Sequence, residues 1–119
     1  MAEQINPWSS TPKVNMNRLF EDFGIDPFEP QKQRLGELPA FMRRDIIQGH
    51  RGYDAVSDAI INKKPFHVLT GFMPSGHPHF GHLMVMKEVV WHINQGGQGF
   101  ISMADREAHA VRGLSWEKC

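Results

Sequence analysis

A single cysteine, Cys119, leaves this chain unable to build an internal disulfide framework, which fits a reducing compartment. Net charge is absent too. Thirteen basic residues face thirteen acidic ones, so composition alone offers no field that would draw in nucleic acid. No apolar run has the length of a membrane span, and the amino terminus lacks the basic-then-apolar order of a secretory signal. The expectation is a cytoplasmic protein without a membrane partner. Internal repeats and low-complexity segments are also missing. With 40% hydrophobic and 22% charged residues, 119 positions make room for one small globular domain.

What is present centres on residues 69–107. Pro65 introduces Phe66-His67-Val68-Leu69-Thr70, a short apolar run with β-branched and aromatic members that predicts a buried strand. Residues 81–94 predict a helix. Leu83, Met86, Val90 and Ile93 recur at spacings of three and four, and Val85 and Val89 widen that face into one that needs cover. Gln95-Gly96-Gly97-Gln98-Gly99 should end the helix, glycine supplying the left-handed conformation found there. Residues 100–104 predict a second strand that ends at Asp105. Strand, helix and strand in this order make a β-α-β unit with parallel strands, hence an α/β fold class.

Ligands of such units lie beyond the carboxyl ends of the strands, the place taken here by residues 71–82. A helix opening there presents unpaired N–H groups and the positive end of its dipole, which suit a phosphate. His79 and His82, three apart, project over its first turn and offer two donors to charge building on a reacting phosphate. Gly81 lets a flat ring or a ribose approach the backbone. A phosphate loop of the Walker type fits poorly, because His77 stands where it requires lysine and Pro78 where it requires serine or threonine. His77, His79 and His82 are also conceivable metal ligands, but no cysteine lies nearby and His92 is about 15 Å further along the helix. His77 is read as a loop residue. Asp105 faces Gly71 across the crevice and either receives an amino or hydroxyl group or caps the next helix. Glu107 and His109 turn to different sides, so at most one of them faces the crevice.

Pro74-Ser75-Gly76 followed by His79-Phe80-Gly81-His82 resembles the His-x-Gly-His signature of class I aminoacyl-tRNA synthetases, in the form of the tryptophanyl and tyrosyl branch. Ile5-Asn6-Pro7-Trp8, Phe41-Met42-Arg43-Arg44-Asp45-Ile46, His50-Arg51, and Lys64-Pro65-Phe66 leading to Thr70-Gly71 are similar to the ordered landmarks of archaeal and eukaryotic tryptophanyl members. The resemblance implies the first β-α-β portion of a Rossmann-like nucleotide-binding fold with an amino-terminal helical appendage. Its implied boundaries are an arm and appendage over residues 1–64 and the first part of a truncated catalytic domain over 65–119. It implies that ATP activates tryptophan to tryptophanyl-adenylate, followed by transfer to tRNA(Trp), with a homodimer in the full-length enzyme. His79 and His82 would be catalytic. Gly71, Pro74, Ser75, Gly76, His79, Gly81 and His82 would bind ATP, with Mg²⁺ riding on the leaving pyrophosphate and no protein metal site. Leu69, Gly71, Ser102, Met103 and Asp105 would line the amino-acid site.

Departures accompany the match. Leu69 stands where relatives carry a tyrosine, Phe72 where eukaryotic ones carry an arginine, and Ser102 where they carry a glutamine. Recognition of the indole is therefore unassigned. The lysine-rich second signature, Lys-Met-Ser-Lys-Ser, and an anticodon-binding domain are absent. A tyrosyl-tRNA synthetase, a small nucleotidyltransferase of the same superfamily, and a non-catalytic fragment that binds ATP or tryptophan stay open as alternatives.

Towards the amino terminus, residues 1–12 predict an irregular arm pinned by Trp8, and residues 15–23 a short helix with Leu19, Phe20 and Phe23 inward. Gly24-Ile25-Asp26-Pro27 breaks it. Residues 28–38, charged and proline-flanked, predict a loop or frayed helix. Residues 39–47 predict a helix with Phe41, Met42, Ile46 and Ile47 apolar and Gly49 closing it, Arg43 and Arg44 forming a solvated face. Residues 53–64 predict another through Tyr53, Val56, Ala59 and Ile60. Two strands of a sheet that should continue, and Trp116 on a helix cut short, predict a marginal fold.

Overall fold

The computed structural model describes residues 20, 21 and 23–119. The predicted arm with Trp8 and most of the predicted helix over 15–23 lie outside the described residues, although Phe20, Glu21 and Phe23 are helical. Beyond Gly24 the chain forms β1 (Asp26–Pro27), which places Phe28 at the centre of the amino-terminal part, only 1% exposed.

α1 (Glu29–Leu35) follows where a loop or frayed helix was the local expectation. Its charges are ordered for a helix, Glu29 in the first turn and Lys32 and Arg34 in the last, and its proline sits at the start, where no N–H is needed. α2 is shorter than the predicted helix over 39–47, spanning Ala40–Arg43. Asp45 takes a positive φ of 58° and meets Lys32 Nζ at 2.5 Å, so an ion pair across the chain holds the turn that ends it. Met42 is buried, while Ile46 is 51% exposed. Gly49 closes no helix. It belongs to β2 (Gly49–His50), antiparallel to β1, and the Phe28 N–H donates to the Gln48 carbonyl beside it at 2.9 Å.

α3 (Asp54–Ile61) supplies what α1 lacks locally. The buried Gln31 donates to Asp54 Oδ1 at 2.6 Å and accepts from the Ser57 hydroxyl at 2.7 Å, and Arg34 pairs with Asp58. A charged sequence is thereby held in a helix by partners more than twenty residues away.

The predicted β-α-β unit is present. β3 (His67–Phe72), α4 (Phe80–Asn94) and β4 (Gln98–Met103) follow one another, and the strands are parallel in a register running from His67↔Gln98 to Phe72↔Met103. Gly96, with φ +99°, turns the chain out of α4 as expected. β4 starts earlier than predicted and stops at Met103, so Asp105 ends no strand and instead opens α5 (Asp105–Arg112). β3 is not buried on both faces: its residues alternate between exposed and half-covered. α4 lies on the face of Val68, Thr70 and Phe72, and so close to β4 that a Cβ on Gly99 would stand 2.6 Å from Ile93 Cδ1.

The predicted stripe of Leu83, Met86, Val90 and Ile93 is only half-covered, between 38% and 54% exposed, whereas Val89 and His92 are buried. α4 is rolled so that its inner edge runs through those two residues. The other face of the sheet is open, and Leu69 is 74% exposed. A 3₁₀ turn, Trp116–Lys118, ends the chain. Trp116 stacks on His109 with ring centroids 4.1 Å apart, so it has the partner that its sequence did not suggest. Among the described residues no helix is long and apolar enough to cross a membrane.

Candidate nucleotide site

The loop between β3 and α4 carries the residues singled out for phosphate. His79 precedes α4 in extended conformation, φ −136° and ψ 178°, and caps it. The Gly81 N–H donates to His79 Nδ1 at 3.1 Å, and the His79 N–H donates to His82 Nδ1 at 3.2 Å. This is the reciprocal logic of a capping box, built from two imidazoles. A ring nitrogen that accepts an N–H carries no proton, so each neutral ring holds its own on Nε2. Among the described residues neither Nε2–H has a partner, so both are left to donate outward. The rings lie 4.1 Å apart between centroids, and Phe72 flanks His82 at 5.2 Å.

The backbone donors expected at this helix start are mostly spent. The His82 and Leu83 N–H groups donate to the His79 carbonyl at 3.0 and 3.3 Å, and the Gly81 N–H is taken by the ring. The imidazoles replace them as outward donors, with the positive end of a 15-residue helix behind them. Gly81 has a second reason to lack a side chain: a Cβ there would stand 3.0 Å from His79 Cε1 and 3.1 Å from Nδ1. The space assigned by sequence to a ligand is first of all the space of the His79 ring.

Pro74, Ser75 and Gly76 lie in the same loop, with the Ser75 N–H turned onto the Met73 carbonyl at 2.8 Å, and His77 is exposed beside them. Leu69, Gly71 and Ser102 share the open face of the sheet, Gly71 and Ser102 in direct register. Met103 pairs with Phe72, so by alternation its side chain belongs to the opposite face. The five residues proposed for the amino acid are thus not all gathered. Asp105 is at the same end of the sheet, but Ala104 is the cap of α5 and Asp105 Oδ1 accepts from the Arg106 N–H at 2.7 Å. His109 is turned away, its Nδ1–H donating to the Leu114 carbonyl at 2.6 Å. An open cleft of ≈ 540 Å³ lies against the first turns of α4, lined by Pro78, His79, Phe80, His82, Leu83 and Met86. It takes in both histidines and none of the strand residues. Among the described residues no three His, Cys, Asp or Glu side chains gather as a metal site requires.

A second polar cluster escaped the sequence reading. His92 Nδ1 is 2.7 Å from the Glu88 carbonyl, which can only accept, so the proton is on Nδ1 and Nε2 accepts the Tyr53 hydroxyl at 2.6 Å. Burial pushes the His92 pKa down, opposed by that carbonyl, and pushes the Tyr53 phenol up, with the Glu88 charge adding to the rise. The Glu88 stem is half-exposed, but both its carboxyl oxygens are sealed from solvent without a hydrogen-bond partner among the described residues. Burial raises its pKa. The available signal was Glu88 and His92 four apart on a mostly apolar helix, the same face by period.

A parallel β-α-β unit with its loop and helix start beyond the carboxyl end of the first strand is the architecture of the doubly wound α/β class. The family model for tRNA synthetases class I (W and Y) matches residues 61–118, which include β3, α4, β4 and both histidines. Tryptophan–tRNA ligase of Methanosarcina acetivorans is 46% identical over 119 residues, all of this chain and 27% of that protein. That of Archaeoglobus fulgidus is 46% identical over 114 residues, 96% of this chain and 27% of its own length. Tryptophanyl-tRNA synthetase from Aeropyrum pernix superposes with a TM-score of 0.74 at 38% identity, covering 96% of this chain and 32% of the other. The Plasmodium falciparum enzyme gives 0.76 at 25% identity, over 88% and 31%. The chain belongs to the class I tRNA synthetases of the tryptophan and tyrosine type and has their Rossmann-like α/β fold. It spans less than a third of the length of the curated relatives named here.

Proposed function

We propose that this chain supplies the ATP-phosphate site of a tryptophan–tRNA ligase. The reaction is attack of the tryptophan carboxylate on the α-phosphate of ATP, forming the carboxyl–phosphate bond of tryptophanyl-adenylate and releasing pyrophosphate. The carboxylate is ionised at neutral pH, so no general base is required. Catalysis then rests on positioning and on donors aimed at the spreading charge.

The observation that carries this reading is the reciprocally capped pair His79 and His82, whose fixed Nδ1 acceptors leave two Nε2–H donors side by side at the amino end of α4. Mg²⁺ fits as an ion carried in with the triphosphate, since the residues around the pair are neutral donors and not carboxylates. The loop of Pro74, Ser75 and Gly76 would follow the phosphates, and Leu69, Gly71 and Ser102 would bed the amino acid, with Met103 and Asp105 at its margin. Transfer to tRNA(Trp) is supported by the names of the relatives, and assembly of two copies by the resemblance.

The test is tryptophan-dependent exchange of pyrophosphate into ATP, measured in a tryptophan–tRNA ligase that carries this segment. His79→Ala and His82→Ala should each lower the rate by roughly 10²-fold with little change in tryptophan affinity, as loss of one oxyanion donor does. Unchanged rates would remove the histidines from the chemistry, and a preference for tyrosine over tryptophan would overturn the substrate.

A further inference from the structure

We infer that Phe72 is a positioning residue for His82, holding the imidazole so that its Nε2 stays free for a phosphate oxygen. The inference deepens the nucleotide reading above and rests on it for the identity of the ligand. Phe72 is the last residue of β3 and is fixed twice by its backbone, in register with Met103 and with its carbonyl accepting from the Ala104 N–H at 2.9 Å. Its half-buried ring lies on the face of the sheet that α4 covers. The ring centroid is 5.2 Å from that of His82 at an interplanar angle of 54°, inside the range of tilted aromatic pairs.

The first turn of α4 does not by itself fix the His82 ring. Turning the imidazole by half a revolution about its bond to Cβ puts a carbon where Nδ1 accepts the His79 N–H, and moves the outward nitrogen to a new place. Rings of this kind rotate broadly at that torsion unless packed. Among the described residues His82 has two flat neighbours, His79 at 4.1 Å and Phe72 at 5.2 Å. His79 is an exposed loop residue, whereas Phe72 is anchored in the sheet. The strand therefore supplies the rigid wall, and the histidine that the helix carries is oriented by a residue of another element. An aliphatic side chain at position 72 fills part of the volume without offering a flat face.

Two readouts test this on the chain as it stands. Long-range ¹⁵N–¹H correlation shows which ring nitrogen of His82 holds the proton, and cross-relaxation between the Phe72 and His82 rings reports the contact in the unsubstituted protein. The expected result is a single Nε2–H tautomer in the parent and in Phe72→Tyr and a mixture in Phe72→Leu, with ATP affinity about 3–10-fold weaker in Phe72→Leu only. A single Nε2–H tautomer with unchanged ATP affinity in Phe72→Leu overturns the inference, as does missing Phe72–His82 cross-relaxation in the parent. If no form binds ATP, the nucleotide reading fails, while the tautomer ratio still decides the role of Phe72.

Discussion

The Tyr53 hydroxyl stands 2.6 Å from His92 Nε2, tying the helices of the amino-terminal part to the crossover helix of the β-α-β unit. Aromatic rings enclose the bond: Phe28 lies 5.3 Å from Tyr53, and Trp91 and Phe66 lie 4.8 and 6.4 Å from His92. Tyr53→Phe deletes the donor and leaves a buried ring nitrogen unpaired, at a cost of about 1–2 kcal/mol. Denaturant midpoints read by Trp91 fluorescence, with the other tryptophans replaced by phenylalanine, should fall accordingly. An unchanged midpoint would mean that water or another group satisfies His92.

The same cluster sets an expected pH dependence. His92 has a folded pKa below its ordinary 6.5, so its contribution is present above 6.5 and is lost as pH falls and the ring must charge. Glu88 has a folded pKa above its ordinary 4.5, so its contribution is complete below 4.5 and is lost as pH rises through the raised value. The two slopes have opposite signs, His92 making stability rise with pH on the approach to 6.5 and Glu88 making it fall with pH from 4.5 upward. Glu88→Gln removes the second slope, so this variant should gain stability at pH 7 and keep the rise with pH on the approach to 6.5. A variant no more stable than the parent at pH 7 would show that Glu88 has a compensating partner.

Much of this was legible in the sequence, for stated reasons. β3, α4 and β4 announce themselves because apolar spacing, a proline start and a glycine stop are local signals, and His79 with His82 is a local pattern. α1 was not legible, because Gln31 and Arg34 are held by Asp54, Ser57 and Asp58 from another helix. The early end of α2 was hidden likewise, set by the Asp45–Lys32 pair. The roll of α4 was legible only in part: Val89 and Ile93 of the predicted face do meet β4, but Leu83, Met86 and Val90 stay half-covered and His92 takes a buried place that the stripe did not suggest. What decides the roll is Gly99, whose missing side chain lets Val89 and Ile93 sit on β4.

Gly81→Ala should separate helix stability from function. An alanine inside the first turn favours the helix by up to about 1 kcal/mol, yet its Cβ would crowd His79 Cε1 at 3.0 Å. Thermal stability should hold or rise while exchange activity drops severalfold. Loss of both together would mean that the whole turn is disrupted.

His79→Asn distinguishes the cap from the chemistry. Asparagine is a good amino-terminal cap, so stability should stay within about 0.5 kcal/mol of the parent. It lacks the Nε2–H donor, so exchange should fall by roughly 10²-fold. Equal losses in His79→Asn and His79→Ala are expected, and full activity in His79→Asn would assign His79 to capping alone.

Thermal unfolding of the chain should be broad. The buried apolar residues among those described, Phe28, Met42, Ala59, Val89 and Ala108, are scattered over separate elements, while Leu69, Phe100, Ile101 and Met103 are exposed on the strands. Calorimetric and van't Hoff enthalpies should disagree, and light scattering should rise through the transition. A sharp two-state transition without scattering would refute this.

Apart from the Phe72 contact, the bonds that shape the histidine pair close within four residues of chain. The cap is therefore a property of one helical turn, whereas the aim of the His82 donor also needs β3 in place beneath it. Binding to such a site is weakened by the fraction of time in which the turn is frayed or the Phe72 wall is gone. Affinity for phosphate should accordingly weaken in two stages as temperature rises, first as Phe72 leaves His82 and then as the start of α4 frays.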